Sequence, residues 1–164
     1  MIVSLDIEHE QKLSRECSEN VIKKYKNSDT PITCKKGCND CCKLNLSCYP
    51  NEASTLAEKV LSGEVEIDKE RLKRWKSGSR TEEDMTCVFL DSKGECSVYD
   101  DRPIMCSRML VSSDPCNCAF GCDKPKMQAI PEKLDQRQKL LARVHGWVNM
   151  REALFNHLLI NQAI

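Results

Sequence analysis

The residues with the most evident chemical potential are cysteines, which number twelve in a chain of 164 residues. Four of them, Cys34, Cys38, Cys41 and Cys42, fall within nine residues with the spacing C-x3-C-x2-C-C. Spacings of three and four residues bring thiolates to one side of a turn, and Gly37 allows the left-handed conformation that such a turn often needs. Because packing hardly explains this density, the cluster predicts metal binding, with a disulfide scaffold as the less favoured alternative.

Cys41 and Cys42 are adjacent, so their side chains are expected to project in different directions. One of the two could reach a second metal, bridge two metals or remain a reactive thiol. Further ligands must therefore come from elsewhere in the chain. Cys87 and Cys96 lie on a predicted hairpin, and Cys106 lies near the start of a helix, where an anionic thiolate is favoured.

Several motifs together resemble the YkgJ-type cysteine-cluster family, the CxxCxxCC group of zinc- or iron-chelating domains. They are the segment 34–42, the strand Cys87-Val88-Phe89-Leu90, the stretch Gly94-Glu95-Cys96-Ser97-Val98-Tyr99, and Arg102-Pro103-Ile104-Met105-Cys106. The resemblance implies a ligand set of seven cysteines: Cys34, Cys38, Cys41, Cys42, Cys87, Cys96 and Cys106. The chain departs from the family pattern in its first spacing, x3 instead of x2, and in Ser107, which separates Cys106 from Arg108.

A further cysteine group lies beyond the motifs that match the family. Cys116, Cys118 and Cys122 either complete the first site, form a second site or belong to an ordinary loop. The three histidines do not accompany the cysteine motifs, so the expected cofactor is an iron–sulfur cluster or zinc, at one or two sites. Iron–sulfur is slightly preferred, because one structural zinc would leave many thiols unused.

The motifs predict a cysteine-ligated metal-binding protein with a structural, metal-handling or redox role. One alternative is a metal-dependent protein-modifying enzyme or accessory subunit, by similarity to the cluster part of flagellin lysine methylase. Another is an electron-transfer protein. The isolated glycines form no nucleotide-binding motif, and a helix cap and a salt bridge explain Asp101 and Arg102 without catalysis, so catalytic residues and enzyme activity stay open.

Charge and hydropathy restrict the partners that we expect. Lys plus Arg and Asp plus Glu are both 25, so the basic surface of a nucleic-acid-binding protein is not expected. Apolar runs are too short for a membrane span, and residues 1–8 do not read as a secretory signal. The expected location is the cytoplasm, where thiols stay reduced and available to metal.

Helical periodicity outside the cysteine motifs predicts a mainly α fold with a small irregular or β-hairpin portion, stapled by metal into a single domain. Residues 1–30 are assigned to an N-terminal helix and residues 31–127 to the cysteine-cluster metal-binding domain. Residues 128–164 are assigned to a C-terminal helix that packs on this domain or on a protein partner.

Individual elements follow from local patterns. The helix at 8–27 is predicted to bury the face that carries Leu13, Cys17, Val21 and Tyr25. Cys17 and Cys48 are both interpreted as packing residues. Between residues 50 and 99 we predict a helix from 50 to 61, a short helix capped by Asp68 with Leu72 and Trp75 inward, an exposed loop at 77–86 and a hairpin at 87–99. The last prediction is a helical pattern from Pro131 to about Asn161. Its inward residues are Leu134, Leu141, Val144, Val148, Leu154 and Leu158.

Overall fold

Helices dominate the computed structural model, which describes residues 6–29, 32, 34–110 and 132–164. The helices are α1 (Ile7–Tyr25), α2 (Pro50–Leu61), α3 (Lys69–Lys76), α4 (Glu82–Met85), α5 (Ile104–Arg108), α6 (Glu132–His145) and α7 (Met150–Ile160), with 3-10 turns at Asp40–Lys43 and Tyr99–Asp101 and strands β1 (Ser47–Cys48) and β2 (Val148–Asn149). This confirms the predicted mainly helical domain with a small β portion. No helix in the described ranges is both long and apolar enough to cross a membrane.

The main hydrophobic core forms where α7 packs against α2 and α3. Leu154 and Leu158 of α7 are fully buried there, together with Leu56 of α2 and Leu72 of α3. Burying each such side chain contributes about 1.5–3 kcal/mol. Phe89 belongs to the same core, so the cysteine-bearing segment around it rests directly on the helices.

The buried face of α1 differs from the prediction. The side chains from Leu13 to Tyr25 that were predicted to be inward are only half-buried, whereas Ser14 and Ser18 are buried. The two serine hydroxyls meet α5: Ser14 Oγ lies 2.8 Å from Ser107 Oγ, and Ser18 donates to the Ser107 carbonyl at 2.5 Å. These hydrogen bonds satisfy the polar groups on burial, which periodicity of apolar residues cannot reveal.

The predicted continuous helical pattern at the C-terminus is interrupted. Gly146 adopts a φ of +71°, which ends α6, and the chain then forms β2 before α7 begins. β2 pairs antiparallel with β1, with Cys48 opposite Val148. Leu141, Leu154 and Leu158 are buried as predicted; Leu134 and Val148 are half-buried, and Val144 is exposed, so its inward assignment was wrong.

The segment between α2 and the hairpin region is partly as predicted. The Asp68 carboxylate accepts a hydrogen bond from the Arg71 backbone N–H and caps α3, and Leu72 and Trp75 are buried. Residues 77–86 are not simply an exposed loop, because they contain α4. The buried carboxylate of Asp84 accepts hydrogen bonds from neighbouring hydroxyls and an arginine, which holds its pKa at about 2.

Candidate metal centre

Two adjoining cavities collect the cysteines of three separate stretches of the chain. The larger, of about 60 Å³, is lined by Cys38, Cys41, Cys42, Cys87, Cys96 and Cys106. The smaller, of about 50 Å³, is lined by Cys34, Cys38, Cys41 and Cys106. All seven cysteines of the predicted set thus lie at the same place in the fold. Cys116, Cys118 and Cys122 lie outside the described residues.

The first stretch turns tightly around its cysteines. Gly37 has a φ of +88°, which an L side chain rarely adopts, and the Cys38 N–H donates to the Lys35 carbonyl at 3.0 Å. The 3-10 turn at Asp40–Lys43 follows and presents Cys41 to both cavities but Cys42 to the larger one alone. Both cysteines line the larger cavity and their sulfurs interact, so the expectation that these adjacent side chains project in different directions is not confirmed.

The second stretch is tied directly to the first. The Cys87 N–H donates to the Cys42 carbonyl at 2.7 Å, which places the two cysteines side by side. The predicted hairpin at 87–99 is reduced to one antiparallel bridge, between Leu90 and Cys96. The Ser97 N–H, which donates to the Phe89 carbonyl at 2.9 Å, holds this short loop so that Cys96 faces the larger cavity.

The third stretch is the short helix α5, which carries Cys106. Its first backbone N–H, at Ile104, donates to the buried carboxylate of Glu52 at 2.8 Å. The other oxygen of Glu52 accepts from the Tyr49 N–H at 2.8 Å. One carboxylate therefore fixes the start of α5 relative to the start of α2, and this fixes where Cys106 enters the cavities.

Gly94 makes a close approach to the first stretch. Its carbonyl accepts a hydrogen bond from Asn39 Nδ2 at 2.9 Å, and a Cβ added to Gly94 would lie 2.6 Å from that nitrogen. Gly63 has the same φ of +77°, but a Cβ there would meet nothing within 4 Å. The two glycines therefore share a backbone conformation and differ in surroundings.

We expect Gly94→Ala to cost about 2–3 kcal/mol of unfolding free energy and to weaken metal binding, because Asn39 must move and the cysteine turn moves with it. Gly63→Ala should cost about 1 kcal/mol through backbone conformation alone and leave metal binding unchanged. Chemical denaturation and metal titration of both variants measure the difference. Equal effects of the two substitutions would contradict the role of the Asn39 contact.

The sulfurs of Cys41, Cys42 and Cys87 interact with one another in the larger cavity. Cys42 interacts by hydrogen bonds with Cys41 and Cys87, which, with burial, raise the pKa of Cys42. The same contacts lower the pKa of Cys41 and bring the pKa of Cys87 to about 7, although burial opposes this. Burial raises the pKa of Cys96 to about 11 and that of Cys106 well above its usual value. Metals bind the deprotonated thiol, so a cation competes with these protons.

Arginine side chains surround the sulfurs. Arg71 Nη1 donates to the Cys87 carbonyl at 3.1 Å, and Arg102 lines both cavities with its guanidinium 4.0 Å from the ring centre of Tyr99. Arg151 is 2% exposed. Each of these arginines has a buried Nε without a hydrogen-bond partner among the described residues. Such orphan donors need an explanation, and a negatively charged metal–thiolate group is an acceptor that fits Arg102, which lines both cavities.

The remaining lining limits what the cavities can hold. Apolar side chains, among them Leu44, Phe89 and Met150, cover much of the larger cavity. Both volumes are far below the roughly 300–1,000 Å³ of sites for drug-sized molecules, so they suit an ion or a compact cluster. Neither lining contains a histidine. Within the described ranges, no three metal-binding side chains have the geometry of a complete metal site. The cysteines therefore line the same cavities without forming a complete coordination shell.

Sequence patterns did not identify the arginines. Asp101 forms the expected type of salt bridge, with Lys59 at 2.8 Å, but Arg102 lies against Tyr99 and the cavities. Arg102 lies inside the R-P-x-x-C motif, and this position could have indicated that its side chain lies beside the cysteines. Arg71 and Arg151 carry no local indication, because they come from α3 and α7 and reach the centre only through tertiary packing.

Comparison with known proteins agrees with the geometry. Residues 33–143, about two thirds of the chain, match a family model named CxxCxxCC and described as "Putative zinc- or iron-chelating domain". Neither the curated proteins nor the solved structures contain a significant match. The matched range includes all three cysteine stretches that line the cavities. The chain is therefore a member of the CxxCxxCC family of zinc- or iron-chelating domains.

Proposed function

We propose that this protein binds two metal ions at adjoining positions through cysteine thiolates, and that the metals hold the three cysteine stretches together. The observation that carries the proposal is that seven cysteines from distant parts of the chain line two cavities that share a wall. The orphan arginine donors around the same sulfurs support an anionic group at this place.

The number of cysteines supports two tetrahedral positions with one bridging thiolate. Two four-coordinate ions need eight ligand positions, and seven cysteines provide eight if one of them binds both ions. Cys38, Cys41 and Cys106 all line both cavities. Cys41 is the best candidate for the bridge among them, because it also hydrogen-bonds to Cys42, which lines the larger cavity alone. On the other side its charge acts on Cys38. The larger position would then use Cys41, Cys42, Cys87 and Cys96, and the smaller position Cys34, Cys38, Cys41 and Cys106.

The division of the site into two small cavities favours zinc, whereas the number of cysteines is compatible with both zinc and an iron–sulfur cluster. Two small spaces suit two tetrahedral ions, whereas a cluster with its own bridging sulfides needs one continuous space. An iron–sulfur cluster accounts for the number of cysteines as well as two zinc ions do, and it is therefore the second candidate. Electron transfer belongs to that candidate alone, because zinc has no redox chemistry.

Anaerobic purification of the full chain, followed by elemental analysis, sulfide determination and a visible spectrum, separates the candidates. We expect about two zinc ions per chain, no sulfide and no colour. Iron with inorganic sulfide and a visible band that a reductant bleaches would replace zinc by iron–sulfur and open the electron-transfer role. Failure of the reduced chain to bind either zinc or iron would contradict the proposed function.

A further inference from the structure

Arg151 is a buried cation that forms no ion pair with any of the described residues. It lies on α7, far along the chain from every cysteine of the centre, and only 2% of its surface is exposed. None of the ion pairs formed by the described residues includes it. A buried guanidinium without a counter-charge is expensive, so a nearby anion is expected.

Among the described residues around Arg151, the cysteine sulfurs are the candidates for that anion. Its Nη2 donates to the Met85 carbonyl, its Nη1 lies 3.8 Å from Met85 Sδ, and its guanidinium carbon lies 5.8 Å from the ring centre of Trp75. These contacts are neutral. The Met85 carbonyl that Arg151 contacts lies two residues before Cys87 in the chain. Thiolates at Cys87 and Cys42 attract the Arg151 guanidinium, whereas the guanidiniums of Arg71 and Arg80 repel it.

We propose that Arg151 is the counter-charge of the larger metal position and that, through it, α7 favours a centre with net negative charge. The inference rests on the proposed function. Four thiolates around one divalent ion carry a net charge of about −2. The buried guanidinium, which binds the Met85 carbonyl two residues before Cys87, would offset part of it. Arg151 is thus a positioning and charge-compensating residue that does not itself bind metal.

This role predicts that replacing Arg151 affects the metal-free and the zinc-loaded protein differently. In the metal-free chain Arg151 is a buried charge that forms no ion pair among the described residues, so Arg151→Met removes a buried charge and should not lower the melting temperature. In the zinc-loaded chain the same substitution removes the counter-charge, and zinc affinity should fall by at least about tenfold. Arg151→Lys keeps the charge and should stay within about threefold of the wild type.

Two further variants separate charge from packing and hydrogen bonding. Arg151→Gln can still donate to the Met85 carbonyl but carries no charge, so it should lose affinity as Arg151→Met does. Arg80→Met is the matched control, because the exposed Arg80 guanidinium lies 5.5 Å from the same Trp75 ring. It should bind zinc like the wild type.

The test measures Zn²⁺ affinity by competition with a chelator, together with melting of the metal-free and zinc-loaded full chain. The inference is overturned if Arg151→Met and Arg151→Gln bind zinc like the wild type. It is also overturned if these variants lower both melting temperatures equally and Arg151→Lys rescues nothing. A wild-type chain that binds no zinc would instead count against the zinc centre itself, so the two failures are distinguishable.

Discussion

Replacement of Cys41 by serine is expected to empty both metal positions. If Cys41 is the bridging ligand, each ion is left with three thiolates, and affinity at both positions should fall by at least about a hundredfold, since even changes outside the ligand shell cost 10–100-fold. Metal content, measured by elemental analysis and native mass spectrometry, should fall from about two per chain to nearly none.

Two matched variants make this result specific. Cys34→Ser removes a cysteine that lines only the smaller cavity, so one ion should remain. Cys17→Ser makes the same chemical change on α1, at a half-buried cysteine that lines neither cavity, and two ions should remain. Retention of two ions by Cys41→Ser would contradict a bridge at this residue, and equal loss from all three variants would indicate general unfolding.

Removal of the metal is expected to loosen the cysteine stretches more than the helical core. Residues 34–46 and 86–103 contain little regular structure, and the contacts that join them include the Cys87–Cys42 and Asn39–Gly94 hydrogen bonds. The core between α2 and α7 is instead built from apolar side chains that need no ligand. Metal binding to the folded state alone adds its binding free energy to stability, so chelation should lower the melting temperature by about 10–20 °C.

Hydrogen exchange with and without chelator measures where this loss occurs. Amides of residues 34–46 and 86–103 should exchange faster in the metal-free chain, whereas those of α2 and α7 should keep most of their protection. The control is Gly63, whose surrounding turn lies after α2 and away from the cavities, and whose exchange should not change. Uniform loss of protection, or no change in melting after complete chelation, would contradict a metal that joins these stretches.

Local patterns were sufficient where neighbours in sequence decide the structure. The Asp68 cap and the inward Leu72 and Trp75 of α3 depend on spacing within one helix and were correct. The left-handed Gly37 depends on its own φ and was also correct. The face of α1 was wrong because its burial depends on hydroxyl contacts with Ser107, which lies about ninety residues away.

The sequence by itself determined the thiol chemistry and the mainly helical class, because cysteine spacing and helical period are properties of short segments. Its motifs also indicated the family, and the resemblance to that family implied the seven candidate ligands. Only the tertiary structure decided which cavity each cysteine lines, how β1 meets β2, and that Arg71 contacts the Cys87 carbonyl and Arg151 the Met85 carbonyl. The physical reason is that these features arise from packing α3 and α7 onto the cysteine stretches. Such packing depends on the whole core, so the local sequence around each of these residues does not indicate it.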